Sequence, residues 1–248
     1  MKVGIVSDLH CNLQGLDLAL EAMGDVDELL CLGDSIFEYR FSNCVVARLK
    51  ERGAHIIQGN HEEVFLSPAG VRARERKDID PDMLAFLASQ PHRRYLELDG
   101  KRLLLIHSTP WEPRGEYVHP HSAKLDLFAE ADANIVLYGH THCQVVKRVG
   151  SVLVINPGSA GDARDSRNGR QLSCAVLDTV SEEVQVIDFP DPRFVLGRIS
   201  PRVFGLNALI TLAGPPRRGI RAGRTVVVAP SGCEPVRYRH GHPLSRQA

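Results

Sequence analysis

The stretch KVGIVSDLHCN (residues 2–12) sets a short β-branched apolar run, 3–7, ahead of a carboxylate and an imidazole, Asp8 and His10. A run this short, bounded by polar residues, predicts a buried strand. On the turn leaving a strand, residues two apart can face one cation together and offer it an oxygen and a nitrogen. Asn12 then caps a helix over 13–23, where Leu13, Leu16, Leu20 and Met23 recur at helical spacing.

The same unit returns along the chain. The run 28–32 ends at Gly33-Asp34, a helix over 43–52 stops at Gly53, and the run 55–58 ends at Gly59-Asn60. Strands alternating with helices at this spacing imply βαβ units and parallel pairing. After residue 62 the pattern loosens. The 72–77 basic cluster reads most simply as a solvated helix face, and a short helix is expected over 81–89. Runs 95–98 and 102–107 flank Asp99-Gly100, a type I′ hairpin signal. A helix over 121–131 leads to strand 135–138, and the pairs 144–149 with 152–156 and 173–178 with 184–189 follow. These later strands are expected to be antiparallel. The sum is a mixed-sheet α/β sandwich with function at the strand ends.

A chain of 248 residues with 43% hydrophobic content can bury a large core, which argues against wholesale disorder. The net charge of zero hides an asymmetry. Residues 1–190 hold 20 Lys/Arg against 28 Asp/Glu, a net −8, whereas 191–248 hold 10 Arg against Asp191 and Glu234, a net +8. Asp191-Pro192 therefore reads as the boundary between a domain, 1–190, and a basic Arg/Gly/Pro-rich extension, 191–248. Its apolar runs, 204–213 and 225–229, could pack on the core, close a neighbouring subunit or border the site, and a flexible Arg-rich extension fits equally well. The six cysteines form no CxxC pair, which disfavours a zinc ribbon or a disulfide scaffold. The chain opens on a strand rather than a signal peptide, and no run approaches the roughly 18 apolar residues of a spanning helix. A cytoplasmic location without membrane contact is the expectation.

Seven donors end apolar runs in chain order: Asp8, His10, Asp34, Asn60, His107, His140 and His142. Taken singly, each has an ordinary reading: an N-cap Asp with a surface His, a turn asparagine, a core histidine pair. Taken together they describe a site built from loops at one end of several strands. Five of the eleven histidines (His10, His61, His107, His140 and His142) fall in these words. Carboxylates, imidazoles and an amide suit divalent cations. A carboxylate such as Asp34 has two oxygens and can bridge two of them.

The words D-x-H, G-D, G-N-H-E, H and G-H-T-H, in this order, resemble the calcineurin-like metallophosphoesterases. The likeness is to their small bacterial and archaeal phosphodiesterase branch. NPGSAG (156–161) and HSTPWEPRGEY (107–117) resemble further words of that branch, and the likeness covers about 1–190. It implies a four-layer αββα sandwich with mixed parallel and antiparallel sheets, and a phosphodiesterase or phosphatase. Residue by residue, it implies a first metal held by Asp8, His10, Asp34 and His142, and a second by Asp34, Asn60, His107 and His140. His61 would contact the phosphate and act as general acid. The implied mechanism is in-line attack by a metal-bridging hydroxide without a phospho-enzyme. The implied cofactors are two divalent metal ions, Mn²⁺ first, with Fe²⁺, Ni²⁺ or Zn²⁺ also fitting.

Three positions depart from the family pattern: Cys11 and Ser108 stand where Gly is usual, and Glu62 where Asp is commoner. Cys11 would disturb the turn if positive φ is needed there. Cys11 and Cys143 both adjoin ligand positions, so each reads either as a redox-sensitive thiol or as a small tolerated side chain. Arg164, Arg114 and Tyr117 are candidate substrate contacts, with solvated loop positions as the plain alternative. The expected partner is a small phosphoester, with homo-oligomerisation left open. Two other functions fit less well. A non-catalytic scaffold on this fold should have lost ligands, and all are present. A nuclease could use the +8 tail, but no basic, aromatic-interleaved strand accompanies it.

Overall fold

The computed structural model describes residues 1–112 and 115–195. Its strands in chain order are β1 (Lys2–Val6), β2 (Glu28–Cys31), β3 (His55–Ile56), β4 (Arg93–Leu98), β5 (Lys101–Ile106), β6 (Ile135–Leu137), β7 (Val145–Val149), β8 (Val152–Asn156), β9 (Leu172–Asp178) and β10 (Val184–Phe189). They form two five-stranded sheets, β10-β9-β1-β2-β3 and β4-β5-β6-β8-β7. The helices are α1 (Leu13–Met23), α2 (Asn43–Glu51), α3 (Asn60–Leu66), α4 (Val71–Arg74), α5 (Pro81–Ala88) and α6 (Pro192–Val195).

The period-two alternation of each strand sorts its side chains into layers. Val3, Ile5, Leu30 and Leu32 of the first sheet face Leu103, Leu105, Ile135, Leu137, Leu153 and Ile155 of the second. The opposite face of the first sheet (Val6, Leu29, Cys31, Leu172, Cys174) lies under Leu16 and Ala19 of α1, Val45, Val46 and Leu49 of α2, and Leu87 of α5. Leu104, Ile106, Val136, Val152 and Val154 pack outward against Val118, Leu125 and Phe128. Buried on both faces, these strands read as continuous apolar runs such as LLLI in β5. The architecture is the expected αββα sandwich.

Local signals act as the sequence predicts. Asn12 Oδ1 accepts the Gly15 N–H at 3.0 Å and caps α1, a bond worth about 1 kcal/mol. Asp99 and Gly100 both take positive φ, +48° and +72°, and join antiparallel β4 and β5. β7–β8 and β9–β10 are also antiparallel. Two expectations need correction. β6 pairs in parallel with both β5 and β8, so the second sheet is itself mixed. The helix expected over 121–131 is a 3-10 helix, Ala123–Glu130. Its two buried anchors, Leu125 and Phe128, are three apart, and three residues per turn puts them on one face.

The parallel triplets β1-β2-β3 and β5-β6-β8 decide where the site lies. Parallel neighbours send their C-terminal ends to one edge. The loops after β1, β2 and β3 therefore gather, and those after β5 and β6 do likewise. The apolar runs 204–213 and 225–229 lie outside the described residues. Before them, Arg193 pairs with Asp191 and donates to Gly161 O at 2.5 Å.

Candidate metal centre

All seven predicted donors stand at these strand ends, and the structure brings them into two adjoining groups. Ligand atoms of Asp8, His10 and His142 lie within 4.8 Å of one another, as do those of Asp34, His107 and His140. Asp34 also groups with His10 and His61, which makes it the link between the two sets. Asn60 Oδ1 lies 3.0 Å from His107 Nε2. Asp8, His10, Asp34, His107, His140 and His142 are all buried.

The turns that present these groups are strained. Asp8, His10, Cys11, Asp34, His140 and His142 all have φ between +47° and +65°. Left-handed backbone costs a residue with a side chain of order 1–2 kcal/mol. Six of the nine such residues among the described ones sit in this one place, so the strain belongs to the site. Cys11, at φ +63°, uses the freedom a glycine would give. Cys11→Gly should leave stability within about 1 kcal/mol, because relief of strain is offset by the extra backbone entropy of glycine. Cys11→Val should cost about 1–3 kcal/mol, since a branched Cβ tolerates positive φ least. Denaturant unfolding of chelator-treated protein reads the difference, and a valine variant as stable as wild type would refute it. Ser108 needs no such freedom; its Oγ donates to Glu116 O and tethers the 108–116 segment.

Hydrogen bonds to backbone carbonyls fix the imidazoles. A carbonyl only accepts, so His107 Nδ1 donates to Leu32 O (2.7 Å) and His142 Nδ1 to Asp162 O (2.8 Å). Each Nε2 then points inward. His107 Nε2 lies 3.2 Å from Asp34 Oδ2, and His142 Nε2 lies 3.4 Å from Asp8 Oδ1 and 3.0 Å from His10 Nε2. His10 Nδ1 is buried without a hydrogen-bond partner. Convergent nitrogen and carboxylate donors of this kind fit divalent cations better than they fit one another. His61 is oriented differently. The Glu38 N–H donates to its Nδ1 at 3.1 Å, which leaves the hydrogen of the neutral ring on Nε2, 3.7 Å from Asp34 Oδ2. Phe37 and His10 both meet the His61 ring edge-on, with centroids at 5.1 and 4.8 Å.

The charges respond to burial and to each other. Burial lowers His10 to about 4. Burial, then the charge of His107, lowers His140 to about 4. Both rings therefore keep a lone pair at neutral pH. Burial also opposes charge on His107, but Asp34 outweighs it and raises the ring to about 10. His142 is raised in the same way by Asp8. Burial pushes Asp8 and Asp34 up, yet the facing imidazoles hold both below the carboxylate range. The Cys11 and Cys143 thiols are pushed up, chiefly by burial, which disfavours the reactive thiolate and supports the plain reading of both.

Sequence reasoning missed the supporting groups. Asn156 Nδ2 donates to Gly139 O (2.8 Å) and Thr141 Oγ1 (3.1 Å), fixing the GHTH turn. Ser159 Oγ donates to Asp8 O at 2.8 Å. The NPGS word thus ties the turn after β1 to the turn after β6. Its glycine-flanked polar residues were the available signal. Of the proposed substrate contacts, Tyr117 stacks on His140 with centroids 3.8 Å apart and stays exposed. Arg164 is engaged by Asp162 at 2.7 Å, and Arg114 lies outside the described residues.

Residues 1–182 match the model of the calcineurin-like phosphoesterase superfamily domain. The chain is 28% identical over 168 residues to phosphodiesterase MJ0936 of Methanocaldococcus jannaschii, covering 64% of this chain and 83% of that protein. It is 26% identical over 185 residues to phosphodiesterase YfcE of Escherichia coli K12, covering 72% and 88%. A metallophosphoesterase crystal structure from Sphaerobacter thermophilus superposes with a TM-score of 0.62 at 24% identity, covering 76% of this chain and 88% of that one; it speaks for the fold. The chain belongs to the calcineurin-like phosphoesterase superfamily, a superfamily of phosphoester hydrolases.

Proposed function

We propose that the protein is a dinuclear metal-dependent phosphodiesterase or phosphatase acting on small phosphoesters. The observation that carries this reading is Asp34, which belongs to the group of His107 and His140 and also groups with His10, a member of the other set. Asp8, His10, Asp34 and His142 would hold one cation, and Asp34, Asn60, His107 and His140 the other. When bound, a pair of divalent cations neutralises phosphate charge and lowers the pKa of a bound water toward neutrality.

The chain's own residues do the rest. The buried donors fix positive charge where a phosphoryl transition state spreads negative charge. His61 presents Nε2–H to the phosphate and leaving oxygen, and would serve as proton donor from its protonated form, in which Nδ1 also carries hydrogen and releases the Glu38 N–H. The exposed face of Tyr117 borders the second donor group and offers an apolar wall to the substrate. The relatives' names, both phosphodiesterases, support the diester reading. Among the described residues no helix is long and apolar enough to cross a membrane. A cytoplasmic site of action, the 1–190 domain boundary and any homo-oligomer remain part of the proposal.

Hydrolysis of bis-p-nitrophenyl phosphate should require added Mn²⁺, Fe²⁺, Ni²⁺ or Zn²⁺ and stop with chelator. Loaded protein that hydrolyses nothing on a broad phosphoester panel would favour a scaffold instead. Loading should also release protons. His107, raised to about 10, must shed a proton at neutral pH before its Nε2 can bind a cation, and His142 is shifted in the same direction. Affinity therefore weakens as pH falls. Conversely, the stabilisation that the His107–Asp34 pair gives metal-free protein is complete below about pH 6.5 and fades as pH rises through about 10. Calorimetric titration with Mn²⁺ in buffers of different ionisation enthalpy measures the release; an enthalpy independent of buffer would contradict it.

A further inference from the structure

Among the buried carboxylates, Asp165 and Asp191 are paired with Arg167 and Arg193. Glu62, with no accessible surface, meets backbone amides instead. Its Oε1 accepts the Ser35 and Ile36 N–H groups at 2.7 and 3.2 Å. Its Oε2 accepts those of Asp34 and Gly59, both at 2.9 Å. Three of these amides are consecutive and belong to the turn after β2. The fourth belongs to the turn that starts α3. Consecutive amides converging on one anion form a concave nest, and this one holds Asp34 at φ +52°.

The two turns lie back to back. A Cβ on Gly33 would meet Gly59 N at 2.7 Å and His107 Nδ1 at 2.8 Å. Asp34 Oδ1 completes the tie by accepting the His61 N–H at 2.9 Å. Each acidic residue thus anchors the other's backbone: Glu62 of α3 holds the Asp34 turn, and Asp34 holds the start of α3. We propose that Glu62 is a positioning residue that sets the separation of Asp34 from Asn60, and thereby the affinity of the second cation position. The inference rests on the two-cation reading above. The first position depends less on this clamp, because Asp8 and His142 are held by Ser159 and by Asp162 O.

Glu62→Gln keeps the shape but turns an NH₂ group toward two amide donors whichever way the side chain flips. Glu62→Asp keeps the charge on an arm one methylene shorter. Calorimetric titration of full-length protein with Mn²⁺, alongside thermal unfolding of each metal-free variant, separates the possibilities. The expected order of affinity for the second ion is wild type, then Asp, then Gln, with the glutamine variant about 10–100-fold weaker. Affinity for the first ion stays nearly constant, whatever happens to the melting temperature. Should the glutamine variant not fold, the aspartate variant against wild type carries the same test. Unchanged affinity for the second ion in every folded variant, or parallel loss of both ions with stability, would overturn the proposal. A wild type that takes up one ion only defeats the two-cation reading and this inference with it.

Discussion

Asp34→Asn is expected to abolish paired metal binding while leaving the fold intact. Asparagine keeps an oxygen where Asp34 Oδ1 accepts the His61 N–H at 2.9 Å. It loses the charge and the second oxygen, which faces His107 Nε2 at 3.2 Å and His61 Nε2 at 3.7 Å. An amide cannot hold two cations at once, so at least one donor group should fall short of its ion. Affinity for that ion should drop by about 100-fold or more. Turnover of bis-p-nitrophenyl phosphate should fall by about 10²–10³-fold or more, the scale seen when a group aimed at transition-state charge is removed. Metal content after gel filtration, read beside a circular-dichroism spectrum, checks this. A variant that keeps two ions per chain would show that Asp34 does not join the two groups.

His61→Ala should do the reverse. It spares metal content, because no predicted ligand is removed, and lowers turnover by roughly 10²–10⁴-fold. The loss should depend on the leaving group. p-Nitrophenolate departs readily without a proton, so its esters should suffer least; alkyl esters, whose alkoxides are far more basic, should suffer most. A sharper companion is Glu38→Pro. Phe37 and Arg40 exchange N–H···O bonds of 3.0 and 3.3 Å across a two-residue turn, in which Glu38 takes the position that proline favours. The substitution removes the amide that donates to His61 Nδ1 and little else. That amide bonds only the unprotonated ring, so its removal should favour the protonated ring and make the leaving-group dependence shallower without changing metal uptake. Equal losses across all leaving groups for His61→Ala, or an unchanged dependence for Glu38→Pro, would mean that His61 binds phosphate but delivers no proton.

The donors were legible in the sequence because each interrupts a local pattern. Asp8, Asp34, Asn60 and His107 stand at the point where an apolar run stops, and a charged or polar residue there has few roles inside a core. Pairing order was less legible. The run 135–138 carries no mark of lying between β5 and β8, because its neighbours are set by loop-mediated contacts far along the chain. The 3-10 form of Ala123–Glu130 was hidden for a related reason: Leu125 and Phe128 suit an α-helical face nearly as well as a 3-10 one. Glu62 was visible as an unusual residue but not as a clamp, since its four partners are backbone amides that leave no trace in side-chain chemistry. The positive φ of Cys11 was anticipated as a risk, and the chain adopts it with the thiol donating to Arg40 O at 3.2 Å.

Anomalous diffraction from a crystal of Mn²⁺-loaded protein, recorded at the manganese absorption edge, reaches the central claim without any assay. Two peaks should appear about 3.5–4 Å apart, with the Asp34 carboxylate between them. Asp8, His10 and His142 should close around one peak, and Asn60, His107 and His140 around the other. A single peak, or peaks that Asp34 does not touch, would contradict the account.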